Sequence, residues 1–150
     1  MAASLTLYAA FEEHLLKSTV QLLNDTLKAS LHSSAYTPNV NGHAQWSDVS
    51  ASQVAAAGGW PDGGMTITNP SVTRVGGTTT FDADDVVHTA ASGNIPAFRY
   101  VIMRSTASRN GVTEPLIGFV LGDTTPADIP QTLDGATLRV RFNAAGIFQL

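Results

Sequence analysis

Two apolar runs of six residues, Phe98–Met103 and Leu116–Leu121, narrow the fold more than any other feature of this chain. Pro96, Pro115 and Gly122 bound them. Runs so short and so nearly continuous in apolar character fit strands covered on both faces better than short helices. They are expected in the middle of a core.

Around them the chain alternates. Leu27, Ala29 and Leu31 share one face of Thr26–His32, with Lys28, Ser30 and His32 on the other. Leu138, Val140 and Phe142 alternate in the same way with Thr137, Arg139 and Arg141. The paired Gly76-Gly77 accepts the positive φ of a tight turn, so Val72–Phe81 reads as a hairpin. Met65–Thr68, Val86-Val87 and the apolar Gly146–Leu150 add short extended pieces, and the last would fray unless paired in a sheet or held by a partner. Ser33–Gly64, rich in Ser, Ala, Gly, Pro and Asn, reads as one long loop. Asp123–Gly135, with Pro126 and Pro130, reads as another.

Helical spacing is confined to Tyr8–Leu23, where Tyr8, Phe11, Leu15 and Leu22 recur with Leu16, Val20 and Leu23 beside them. Glu12 and Glu13 early and Lys17 later suit the helix dipole. The β-branched Thr19 and Val20 leave room for an extended end, and Asn24-Asp25 signals a turn. The predicted class is mainly β: a β-sandwich or distorted barrel, with an N-terminal helix or arm over residues 1–24 and a β domain over 25–150. Because the spacing of the first segment differs from everything after Asn24, it is expected to be an assembly arm outside the β core. That core is expected in Leu27, Leu31, Tyr100, Ile102, Leu116, Phe119, Leu138, Val140 and Phe142.

Composition then limits function. At 150 residues the chain is large enough for one good core, and 43% hydrophobic against 13% charged residues suits a subunit that lives in an assembly. A net charge of −4 without any basic block removes the electrostatic footprint of nucleic-acid binding. With no cysteine there is no disulfide framework and no thiolate chemistry. Met1–Ala10 lacks a basic stretch followed by a long apolar run, and no segment is long enough to span a bilayer, so synthesis in the cytoplasm without membrane insertion is expected.

No catalytic residue and no cofactor site can be nominated. His14, His32, His43 and His88 fall in different elements without metal-ligand spacing, and there is no G-x-S-x-G elbow or phosphate loop. Asp82, Asp84 and Asp85 are the best candidates for holding Ca²⁺, although a solvated strand end is the commoner use of such a cluster. Tyr36, Trp46 and Trp60 read as anchors sealing the long loop onto the core or a neighbour, with a sugar-stacking platform as the alternative. The expected partner interface comprises Tyr8, Phe11, Leu15, Leu16, Leu22, Tyr36, Trp46 and Trp60.

The succession Asp25-Thr26-Leu27-Lys28-Ala29-Ser30-Leu31, followed by Ser34-Ala35-Tyr36-Thr37-Pro38-Asn39, resembles the opening of a family of small virion structural proteins of tailed bacteriophages. The resemblance continues in order through Phe81–Val86, Arg99–Ile102, Pro115–Val120 and Phe142–Phe148, and the chain departs from it in the longer Ala- and Gly-rich stretch around Ala55–Gly64. It implies a non-enzymatic virion component: capsid decoration, head-fibre or tail-associated. A decoration (cement) protein on the capsid exterior is the favoured expectation. Its partners would be the major capsid protein and neighbouring copies of itself, with a trimer favoured. The alternative is a tail or head-fibre module recognising host surface glycan.

Overall fold

The computed structural model describes residues 5–122 and 128–150. The first half of the chain contains β1 (Thr6–Leu7), α1 (Ala9–Leu16), β2 (Leu27–His32), β3 (Met65–Thr66), β4 (Ser71–Val75) and β5 (Thr78–Asp82). The second half adds β6 (Val86–Thr89), β7 (Tyr100–Ser105), β8 (Ser108–Arg109), β9 (Val112–Thr113), β10 (Leu116–Leu121), β11 (Thr137–Val140) and β12 (Phe148–Gln149). The chain is mainly β and sandwich-like, with one short N-terminal helix. A five-stranded antiparallel sheet runs β1-β10-β7-β2-β3, and smaller sheets are formed by β12-β5-β4, by β11-β6 and by the β8-β9 hairpin.

The two apolar runs become β7 and β10, paired side by side in the centre of the large sheet. Their mostly apolar character has a direct cause: both faces of this sheet are covered. On one face Leu27, Ala29, Leu31, Val101, Met103 and Ile117 pack with Phe81, Val86, Ile147 and Phe148 from the smaller sheets and with Phe11 of α1. On the other, Ile102 and Leu116 pack with Tyr8, Tyr36 and Val49, so the long loop serves as the second cover. The apolar end at Phe148-Gln149 is paired with β5, and the Phe148 ring meets Phe11 edge-on with centroids 5.4 Å apart.

Three expectations need correction. The helix stops at Leu16 rather than Leu23. Ser18 adopts φ 55, while the Ser18 N–H donates to Leu15 O and the Thr19 N–H to His14 O, a closure that ends a helix in the left-handed conformation. Asn110, from the β8-β9 turn, donates to Lys17 O at 2.8 Å and covers the helix end.

The segment is also no arm outside the β core. Thr6 and Leu7 pair with Phe119 and Gly118 of β10, and Tyr8, Phe11 and Val20 are buried. Gly118 permits this docking, because a Cβ there would lie 2.7 Å from Thr6 O.

The predicted core holds for Leu27, Leu31, Ile102 and Leu116, but Tyr100, Phe119, Leu138, Val140 and Phe142 are only partly buried. The last three border a half-open cleft of about 200 Å³ between β10 and β11, lined also by Arg139 and Arg141. Of the expected loop Asp123–Gly135, residues 123–127 lie outside the described residues.

Candidate interaction surface

The eight residues expected at a partner interface separate sharply. Tyr8, Phe11, Tyr36 and Trp60 are buried inside their own chain, and Leu15 and Leu22 pack partly buried against the main core. Trp46 is partly buried, with the Arg104 guanidinium 3.6 Å above its ring. Only Leu16 stands free, 89% exposed at the end of α1, with Leu23 nearby in sequence at 55%. The aromatics are therefore anchors onto their own sheet, and the surface that a stacking platform would need is already filled by protein. Nothing in the residue types separates an anchor for self from one for a partner, because both require an apolar body with a polar tip.

The loop is held to the second face of the large sheet by a buried polar and aromatic network. The Tyr8 and Tyr36 hydroxyls lie 2.6 Å apart, and Tyr36 Oη is 3.1 Å from His43 Nδ1. Burial, and the hydrogen bond to Tyr36, push the Tyr8 phenol well above its ordinary range, so it stays neutral. Arg104, with its side chain 3% exposed, donates to Gly63 O at 2.8 Å and pairs with Glu114 at 3.4 Å, tying the far end of the loop to β7.

His32 has no exposed surface and sits between Ser52 Oγ, 2.9 Å from Nδ1, and Ser30 Oγ, 3.0 Å from Nε2. Ser52 donates its own proton to Val49 O, so it accepts from Nδ1–H; in that neutral tautomer Ser30 has one proton to place between His32 Nε2 at 3.0 Å and Ile102 O at 3.2 Å. Burial, reinforced by the positive charge of Arg104, lowers the His32 pKa from 6.5 to about 4. The unfolded chain thus binds a proton near pH 6.5 that the folded chain refuses until about pH 4. The stability His32 contributes is complete above pH 6.5 and is lost as pH falls toward 4, a change of about 3 kcal/mol. Urea unfolding at pH 7.5 and 4.5 should show this loss in the parent and a much smaller one in His32→Gln; equal losses in both would remove His32 as the cause.

The acidic group is spread among local partners. Asp82 accepts from the Ala83 N–H, Asp84 from Thr68 and Asn69, and Asp85 from the Phe142 N–H at 2.9 Å, with Arg139 at 3.8 Å. Among the described residues no three His, Cys, Asp or Glu side chains converge as metal ligands. His14 faces Ala44 O and His88 faces Gly58 O, so these two bind the chain to itself.

The β4-β5 hairpin is open to other molecules. Every residue from Ser71 to Thr78 is exposed, with Val72 at 42% and Val75 at 82%. β4 is the outer strand of its sheet, and Leu150, 53% exposed, joins the same ribbon through its hydrogen bonds to Thr79. The hairpin itself is legible from Gly76-Gly77, but its projection from the body is not, since Val and Thr suit a covered sheet equally well. Comparison with protein-family models, curated proteins and solved structures finds no match to this chain.

Proposed function

We propose that this chain is a non-enzymatic structural subunit of a tailed-phage virion, a decoration protein that binds the outside of the major capsid lattice. The ordered succession of sequence blocks resembling small phage virion proteins carries the reading. Those blocks fall on β2, β7 and β10 of the central sheet, on β5 with the turn into β6, and on the segment ending at Phe148, the elements that define the core. The longer Ala55–Gly64 stretch lies in the loop between β2 and β3.

Two further observations support a subunit that works by packing. The described histidines and the Asp82–Asp85 group are engaged in local contacts, and the apolar side chains left exposed include Leu16 at the α1 end and Val72, Val75 and Leu150 on the β4-β5 ribbon. Weak contacts at such positions suffice when repeated over a lattice. The glycan-recognition alternative has less to draw on, because Tyr36 and Trp60 are buried and Trp46 is stacked by Arg104.

The test is quantitative mass spectrometry of purified particles, with cryo-EM of the head. The expected result is a copy number in the hundreds and density for this fold on the capsid exterior. A handful of copies confined to the tail, or absence from the particle, would overturn the assignment.

A further inference from the structure

We propose that β4 is a self-pairing edge: two copies of the chain join β4 to β4 antiparallel about a twofold axis at Thr73, forming one continuous six-stranded sheet. The backbone geometry leads there. Thr79 exchanges both of its backbone hydrogen bonds with Leu150, at 3.0 and 2.9 Å, and Phe81 O accepts from Ile147 at 2.8 Å. Thr79 and Phe81 therefore face away from β4, and their partners in register, Arg74 and Val72, face away from β5. The N–H and C=O groups of Val72 and Arg74 accordingly point outward along the open edge, on residues that are exposed.

Most edges of this kind are blunted by shortness, proline, a bulge or a line of charge. β1, β3 and β12 have two residues each, whereas β4 has five, no proline, an unbroken register with β5 and a single charge, Arg74. The sequence Ser71-Val72-Thr73-Arg74-Val75 also complements itself. With Thr73 opposite Thr73 of the second copy, each Val72 lies opposite an Arg74, and the outward groups form two reciprocal pairs, four hydrogen bonds in all. No two like charges are directly opposed. A register shifted by one residue would set outward groups against inward ones, so alternation and charge select the same alignment. A second copy, rather than an unrelated strand, is favoured because both halves of this match are present in one sequence. The contact does not rest on the virion reading.

The absence of cysteine makes the register directly testable. In a non-hydrogen-bonded antiparallel pair the facing Cβ atoms are close enough for a disulfide. Under mild oxidation Thr73→Cys should cross-link about tenfold faster than Val75→Cys, which faces Ser71 in this register. Sedimentation of the full chain should show a monomer–dimer equilibrium that Val72→Glu tightens, by placing a carboxylate opposite Arg74, and Val72→Lys weakens, with unchanged circular dichroism in both. A chain that stays monomeric at all concentrations, an oligomer that is only trimeric, or equal cross-linking of the two cysteine variants would overturn the twofold edge.

Discussion

A chain lacking residues 1–23 should not fold. Truncation removes Tyr8 and Phe11, each fully buried, together with Val20 and the strand that pairs with β10. Losing a buried aromatic costs about 3–5 kcal/mol, so two of them alone approach the roughly 5–15 kcal/mol that holds a domain of this size. The cut also uncovers Phe148, whose edge-on contact with Phe11 closes the core. The expected product has lost cooperative urea unfolding and its near-ultraviolet circular dichroism. A truncated chain with a sharp transition close to that of the parent would show that the first segment is dispensable. The milder Phe11→Ala should fold, with its stability lowered by about 3–5 kcal/mol.

Asp25→Ala should lower stability by about 3 kcal/mol at neutral pH. The Asp25 side chain has no exposed surface. Its carboxylate accepts from the Gln21 N–H at 2.9 Å and the Ser105 hydroxyl at 2.7 Å, and it pairs with Arg109 at 2.6 Å. One group thus joins the turn after α1 to β7 and to the β8-β9 hairpin. Burial by itself would raise its pKa, but the donors from Arg109, Gln21 and Ser105 outweigh burial and hold it below the ordinary value of 3.8. Asp25 therefore contributes stability that is present above pH 3.8 and disappears as pH falls through the lowered folded value. This acid window lies below that of His32, so the two losses should appear in sequence on titration. Urea midpoints of the parent and Asp25→Ala at pH 7 test the magnitude. A difference under about 0.5 kcal/mol, the scale of an ordinary surface substitution, would reject the role.

How far the fold can be read from the sequence depends on how local its causes are. The Phe98–Met103 and Leu116–Leu121 runs point to β7 and β10 because double-sided burial leaves a mostly apolar trace, although β7 begins at Tyr100 and runs on through Arg104 and Ser105. The turn at Gly76-Gly77 is equally local. The end of α1 is less so: Leu22 and Leu23 continue the helical spacing past Ser18, where the chain closes in the left-handed conformation and Asn110, from far along the chain, caps Lys17 O. The interface residues are the least legible. An amphipathic Tyr36 or Trp60 looks the same whether the apolar surface beneath it belongs to its own sheet or to a neighbour, and only the folded loop decides. The open edge of β4 leaves no compositional trace, since its chemistry resides in the backbone.

The meeting of Phe11 with Phe148 has a consequence for time as well as for stability. The earliest and latest parts of the core are mutually dependent, so the ribosome must deliver residue 148 before the first helix can find its final seat. Until then Phe81 and Phe11 each lack a neighbour they will later touch, and the nascent chain carries uncovered apolar surface. Folding should therefore wait on this distant pairing, slow in the manner of topologies dominated by long-range contacts and open to chaperone capture while it waits.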